Sequence, residues 1–554
     1  MLVSLESERF FRQCSELESV QSALLLNDMV RQNLASEYGR RHEFDSIKNA
    51  GDFRRKIPLV TYEDIRADVD RMILVESNVL TTERVLAFFK TSGSLAAPKL
   101  IPVTPSLIRE KTRAFGVFWQ EVYKAHPALK TGCMVANFTD SGQMDRTQSG
   151  VEILSEATFW GRRTHGMHSR ERWPIPRELR LIADHGHRHY AAARLMLQGP
   201  LHGIMCLNPS TLLMFCRVIE SSIGQLVDGL NHGDWGRDDG EFMAELPAGL
   251  HARLKIDKER AKDLAGAVGG GSLKLKRLWP ALEQAICWCS RIVQPYYRQL
   301  SPYLAGVSER DYITQSSECI MAIPLEDGAS GGALAYQSHF FEFIPETEIE
   351  SENPETRFAW ELEQGESYEP VVTTGGGLYR YRTGDCVQVN GFLAQVPVIE
   401  FLCRTGRTSS ITGEKLTEFQ VSEAARRTRE SCGLAPREIL CFPRSGRLPH
   451  YGVLLNWMDE YAAEDIAVHR QEIRRWIKEF DSQLSCINSE YGDKCASGRL
   501  GALTGLVAGA RGFEEYRRLR QSFAVSDAQR KNEMLNAGLD LDRSIEIMDI
   551  IHAG

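Results

Sequence analysis

Residues 91–100 read TSGSLAAPKL, set between an apolar run at 85–89 and a second that opens LIPV at 100–103. Small residues let backbone N–H groups close on a bound anion, hydroxyls add donors, and a lysine adds charge. The stretch reads as a phosphate-holding loop between two strands, although it lacks the G-x-x-x-x-G-K-[ST] spacing of the common nucleotide triphosphatases. Thr104 and Pro105 then make an N-cap and first-turn pair. Ile108, Thr112, Phe115, Trp119 and Val122 follow at helical spacing, so a helix with one buried face is expected behind the loop.

Outward from this unit, residues 1–50 read as helical, and Thr61 with Asp64 forms a capping pair for the next helix. The segment HYAAARLMLQG is helical, and Asn208-Pro209-Ser210 separates a short strand from another helix. Residues 266–276, GAVGGGSLKLK, read as a flexible connector. From 311 to 402 short apolar runs alternate with Gly, Asp and Pro, the pattern of many short strands. Beyond about 405 the pattern is mixed again, with charged helices expected over Glu464–Ser485 and Gly512–Ser522. The expected fold is therefore mixed α/β, with helices, sheets and a strand-rich, β-barrel-like part in a large domain over 1–403. A smaller α/β domain is expected over 404–554.

The bulk properties narrow the function. The 554 residues are 43% hydrophobic and 25% charged, ordinary for a globular protein. Sixty-six basic against 74 acidic residues give a net charge of -8, with no basic block, which argues against nucleic acid as a partner. The 13 cysteines are scattered, as in a reducing compartment, and no apolar run approaches the ~18 residues of a membrane span. The opening MLVSLESERFFRQC lacks a signal-peptide pattern. A cytoplasmic protein without a membrane partner is expected.

Several motifs compete for the chemistry. His185, His187 and His189 alternate in DHGHRHY, but a strongly helix-forming run follows and no acid or Cys completes a ligand set, so a solvated helix start is expected. GASGG at 328–332 matches the nucleophile elbow in letters. An aromatic, strand-like run follows Ser330 where a hydrolase needs a helix, so a turn between strands is expected. TQSSEC at 314–319 offers two hydroxyls and Glu318 just before a buried strand. In GLYRYRTGDCVQVNGF, residues 377–392, two readings stay open. Asp385 at a strand end can accept ribose hydroxyls, or the segment is a hairpin with cross-strand Tyr/Arg pairs.

Taken in order, the loop with Lys99, then SSE, then YRTGD, then Arg404 resembles the adenylate-forming superfamily of acyl-CoA synthetases and peptide-synthetase adenylation domains. Within it, IPLVTYEDI, PKLIPVT, SSEC, FFEFIP, GLYRYRTGD and GEKLTE are similar to the Gretchen Hagen family of acyl acid amido synthetases. The resemblance implies an enzyme that uses ATP and Mg2+ to activate a carboxylic acid as an acyl-adenylate, releasing pyrophosphate. An amine, usually an amino acid, then attacks to give an amide and AMP. It places Ser92, Gly93, Ser94 and Lys99 on the phosphates, and Thr314, Ser316 and Ser317 around the nucleotide. Glu318 falls on the metal, and Asp385 with Arg404 on the ribose at the domain hinge. The late QRKNEM segment offers Lys531 as the lysine of a C-terminal lid that swings between the two half-reactions, although the family's following proline is missing. A lysine in a charged helix is equally a solvated lysine.

Other departures are Ser94, Leu95 and Ala96 in the loop, Thr314 where a tyrosine is common, and Cys403 before Arg404. Phe115, Trp119 and Phe159 lie where relatives shape the acyl pocket, although aromatics at such positions also build cores. The acid and the amine stay open, as does a monomer or small homo-oligomer. An acyl-CoA ligase and a non-catalytic nucleotide binder are the rival functions.

Overall fold

The computed structural model describes the chain apart from residues 1, 75, 91–98, 137–143, 165–174, 269–272, 290–293, 350, 406–407, 413, 415, 445–447, 458–462, 498, 510–511, 514, 517–533, 537–544 and 553–554. The chain divides into two compact units, the larger taking 1–383, 388–401 and 525–530, the smaller 384–387, 402–524 and 531–554. It passes from one to the other within the strands Asp385–Leu393 and Val396–Arg404.

In the larger unit the strands on either side of residues 91–98 and the helix after them are present. The buried face of that helix is not the one expected: Thr112 is exposed, Ile108, Phe115 and Trp119 are half-buried, and of the five only Val122 lies in the core. Ala87–Lys90 pairs antiparallel with Leu100–Val103 and parallel with Glu152–Leu154. Thr104 then caps the helix Pro105–Ala125, its hydroxyl accepting the Leu107 N–H at 3.1 Å, and Leu107, Ala114, Val117, Phe118 and Val122 form the buried face. Thr61 and Asp64 also pair as expected, the carboxylate accepting the Thr61 N–H at 2.7 Å.

A second sheet is wholly parallel, in the order Met134–Ala136, Gly203–Cys206, Gln284–Cys287, Ser308–Asp311. Its two central strands are buried along their whole length, as strands covered on both faces are, and the helix Pro209–His232 packs into the same core. The connector expected at 266–276 is narrower than that. Its first three residues finish the helix Lys258–Val268, and Leu275–Leu278 is a helical turn. Leu264, Leu275 and Leu278 are drawn into the core, which overrides the local glycine signal.

The strand-rich region is a nine-stranded sheet. Its order is Arg357–Phe358, Phe340–Pro345, Ser367–Thr374, Asp385–Leu393, Val396–Arg404, Gly332–Leu334, Ile320–Ile323, Thr314–Gln315, and Leu378–Arg382 pairs with Ser367–Thr374 outside this path. The glycine-rich GASGG is the turn between Ile320–Ile323 and Gly332–Leu334. Register slips between Val372 and Thr374, and across that irregularity Arg380 adopts φ 45. A non-glycine residue there is strained. Glu342 holds it, receiving Arg380 Nε at 2.8 Å and an Nη at 3.0 Å, while the carbonyls of Arg54 and Ile57 and the Thr356 hydroxyl take the remaining donors.

The N-terminal helices lean on this same sheet. Gln21 donates to the His339 carbonyl at 2.7 Å and accepts the Phe341 N–H at 2.9 Å, and the Tyr336 hydroxyl reaches the Phe10 carbonyl at 2.6 Å.

The smaller unit has a four-stranded sheet, Glu438–Arg444, His450–Asn456, Thr504–Ala508 and Ile547–His552, packed with the helices Glu418–Cys432 and Ala463–Ile487. Thr417 and Gln420 form a reciprocal capping box, and Gly433 ends that helix at φ 68, where a side chain is disfavoured. The helix expected over Glu464–Ser485 is present; that expected over Gly512–Ser522 falls mostly outside the described residues.

Candidate active site

Ser92, Gly93, Ser94 and Lys531 lie outside the described residues. Lys99, at the end of the small-residue loop, is described. Its ammonium lies 5.7 Å from the Tyr62 ring centroid and 5.8 Å from that of Tyr381, and donates to the Tyr381 hydroxyl oxygen at 3.2 Å. Two electron-rich faces and one phenol oxygen fix a cation without neutralising it. The Tyr381 hydroxyl also approaches Glu318 Oε1 at 3.4 Å. Lys99, Tyr381 and Glu318 thus form a line from the loop to the SSE motif by way of YRTGD, three segments far apart in sequence.

Tyr62 is held in turn by the strand after the loop, accepting the Leu100 N–H at 2.9 Å, and burial raises its phenol above the ordinary range. Sequence reading quoted both tyrosines inside their motifs but gave neither a role. A tyrosine beside an arginine reads as a strand pair until the fold shows which lysine it meets.

Thr314 and Glu318 are buried, on and just after the short strand Thr314–Gln315, and Ser316 and Ser317 lie between them. The turn is closed by the Ser316 N–H donating to the Cys319 carbonyl at 2.9 Å. It is anchored from below by Lys111, fully buried, whose ammonium donates to the Ser316 carbonyl and to Glu156 Oε1, both at 2.8 Å. A second buried acid on the same helix, Glu110, accepts the Gly375 N–H at 2.8 Å and bonds His339 Nδ1 at 2.9 Å. His339 Nε2 accepts the Ile320 N–H at 3.1 Å, so Nδ1 carries the proton, and burial lowers the imidazole below its ordinary value. Hence the helix behind the loop sets the height of both neighbouring motifs. No sequence pattern marked Lys111 or Glu110, which look like ordinary charged helix positions.

The aromatic residues fall into two sets. Phe115 meets Trp160 edge-on at 5.4 Å, Trp160 meets Phe159 at 5.4 Å, and Phe159 meets Phe89 at 5.3 Å. Trp119 stacks on Tyr123 and meets Phe118. In the smaller unit Asp385, 2% exposed in its side chain, pairs with Arg404 Nε at 3.2 Å. Gly384, at φ 67, makes the turn that brings its carbonyl to the Thr405 N–H.

His185, His187 and His189 open the helix His185–Met196, capped by Asp184, and His187 bonds Glu245 at 3.1 Å. Among the described residues no three His, Cys, Asp or Glu side chains converge on a metal-sized space, and no helix is long and apolar enough to cross a membrane.

The model of the GH3 family N-terminal domain matches residues 6–308, and that of the GH3 family central domain matches 332–404. The chain belongs to the GH3 family. The motif resemblance pointed to this family. One GH3 relative, a probable indole-3-acetic acid-amido synthetase of Oryza sativa subsp. japonica, is 26% identical over 71% of this chain and 70% of its own. The 4-substituted benzoates-glutamate ligase of Arabidopsis thaliana is 25% identical over 81% of each chain. In structure the chain is similar to an AtGH3.15 acyl acid amido synthetase solved with 2,4-DB, at a TM-score of 0.83 and 20% identity over 99% and 97% of the two chains. Membership of the family carries the mixed α/β fold.

Proposed function

We propose that this GH3 protein is an ATP-dependent acyl acid amido synthetase. It joins a carboxylic acid to ATP as an acyl-adenylate with release of pyrophosphate, then passes the acyl group to an amine, an amino acid, with release of AMP. The observation that carries the reading is the line Lys99–Tyr381–Glu318, at 3.2 and 3.4 Å, inside a chain of this family.

A carboxylate is a poor electrophile, and its attack on ATP builds charge on the phosphoryl oxygens and the departing pyrophosphate. Lys99, held between two phenol rings, supplies positive charge there, with Ser92, Gly93 and Ser94 as the loop donors. Glu318 is the Mg2+ ligand in this reading. Mg2+ characteristically takes one or two carboxylates and completes its shell with phosphates and water, so a lone buried carboxylate beside a phosphate-binding lysine fits it and a three-acid cage is not required. When bound, Mg2+ neutralises phosphate charge.

Thr314, Ser316 and Ser317 line the nucleotide, and Asp385, oriented by Arg404, takes the ribose hydroxyls. Phe115, Phe159 and Trp119 belong to the acyl side. The segment 404–554 acts as a lid that carries Lys531 in for adenylation and out for amide formation. The protein works in the cytoplasm on small molecules, without nucleic acid or membrane, as a monomer or small homo-oligomer.

Carboxylate-dependent ATP–pyrophosphate exchange without amine, over aryl, indolyl and aliphatic acids, tests the first half-reaction. Exchange with one class, followed by amide formation on adding amino acids, is the expected result. Thioester formation on adding coenzyme A instead would assign an acyl-CoA ligase. ATP binding without exchange across the panel would move the assignment to a non-catalytic nucleotide binder.

A further inference from the structure

Arg380 stands just before Tyr381, outside the line Lys99–Tyr381–Glu318, and its backbone lies at φ 45. A side chain is disfavoured there, so the surroundings must hold the conformation. All five N–H donors of its guanidinium are engaged. Nε and one Nη grip Glu342 at 2.8 and 3.0 Å, and the same Nη reaches the Thr356 hydroxyl at 3.1 Å. The other Nη donates to the carbonyls of Arg54 at 2.9 Å and Ile57 at 2.7 Å. Thr356 closes the network, its hydroxyl donating to Glu342 at 2.7 Å, and all three side chains are buried. A rigid arginine fork can direct this many bonds at once; a lysine ammonium cannot.

These bonds join two segments. One is the strand Leu378–Arg382, which carries Tyr381. The other runs from the helix Ala50–Lys56 through Val60 and leads straight into Tyr62. The guanidinium takes hold of the second segment at Arg54 and Ile57. The backbone adds to this, the Val60 N–H donating to the Arg380 carbonyl at 3.1 Å and the Arg382 N–H to the Val60 carbonyl at 2.8 Å. Tyr62 and Tyr381 are the two rings whose centroids lie 5.7 and 5.8 Å from the Lys99 ammonium. One arginine, its donors all spent on the frame, therefore sets the spacing of both rings.

We infer that Arg380 is a positioning residue for ATP, its network holding Tyr62 and Tyr381 at the separation that aims Lys99 at the phosphates. This rests on the acyl-activating reading above and adds to it a residue that acts through Lys99 without meeting the nucleotide. The strained backbone is part of the device, because relaxing residue 380 would turn the neighbouring Tyr381 away from the lysine.

A double-mutant cycle on ATP affinity, read by calorimetry with Mg2+ present, tests the inference. Arg380→Met alone would leave Glu342 as an unpaired buried charge, so it is combined with Glu342→Gln. The pair of replacements should weaken ATP binding about tenfold in the otherwise wild-type chain and less than about twofold in Lys99→Met, since its effect runs through the lysine. In pyrophosphate exchange the KM for ATP should rise while that for the acid stays within about twofold. A merely structural role predicts the same loss with and without Lys99. Should the paired variant not fold, Thr356→Val removes one acceptor from Arg380 and one donor from Glu342 without changing charge. A weakening of about threefold that disappears in Lys99→Met is then expected.

Equal weakening in both backgrounds, or unchanged ATP affinity in a folded variant, overturns the inference; exchange by the wild type leaves the reaction standing. Coupling to Lys99 without exchange for any acid supports Arg380 as a positioning residue and removes the reaction. A wild-type protein that binds no ATP overturns both.

Discussion

Tyr381→Phe deletes one oxygen at the centre of the candidate site and leaves the ring that faces Lys99. That oxygen accepts from Lys99 at 3.2 Å and donates to Glu318 at 3.4 Å, and the residue is fully buried. Hydrogen bonds to charged groups contribute about 1.5–3 kcal/mol, and these two lie at or beyond the long end of the normal range, so the lower part applies. About 1–2 kcal/mol of transition-state stabilisation should go, which is roughly 5–30-fold in kcat/KM for ATP. The ring–ammonium contact survives, so the midpoint of thermal unfolding should fall by only about 2 °C. Steady-state pyrophosphate release, with ATP and acid varied separately, gives the needed split. The KM for the acid should stay within about twofold, because the phenol sits on the phosphate side. A folded variant with kcat/KM for ATP within twofold of wild type would show that the line Lys99–Tyr381–Glu318 does not serve nucleotide chemistry.

Lys111→Met strands the Glu156 carboxylate in the interior and should destabilise the larger unit by about 3–5 kcal/mol. Adding Glu156→Gln should recover most of the loss, read as a partial return of the thermal midpoint. Gly375→Ala would drive a methyl group onto Glu110 Oε1 and the Ser106 Cβ. It should destabilise by about 2–4 kcal/mol, and chemical denaturation showing less than about 1 kcal/mol would mean the helix and loop part easily. Burial raises Asp311 to about 7, against the cysteine 289 and glycine 331 N–H groups that it accepts. The folded protein therefore keeps a proton that the unfolded chain has released from about pH 4 upward. Stability from this group falls as pH rises toward 7 and is lost above it. Asp311→Asn should narrow the difference in thermal midpoint between pH 5 and pH 8; an unchanged difference would assign the pH response elsewhere.

Legibility in the sequence followed the range of the interaction. The strands flanking residues 91–98 and the start of the helix after them could be read because Thr104 and Pro105 act within a few residues of one another, whereas the spacing chose a helix face of which only Val122 is fully buried. Glu318 and Asp385 could be singled out as candidates because each stands in a short motif of several letters. Lys111 and Glu156 were not, since a charge on a helix becomes a buried pair only when another helix closes over it, 45 residues later in the chain. The connector at 266–276 was overread for the same reason: its glycines speak locally, while Leu264 and Leu275 answer to a distant core.

Gln21 and the His339 carbonyl that it binds are 318 residues apart. At translation rates of about 5–20 residues per second, the first helices leave the ribosome roughly 15–65 s before their sheet exists. During that interval Phe10, Leu17, Leu24, Leu25 and Met29, all buried in the finished protein, have no partner surface from that sheet. This apolar segment is then the kind of surface that chaperones cover. Expression should respond to chaperone supply and growth temperature more steeply than the stability of the finished enzyme does.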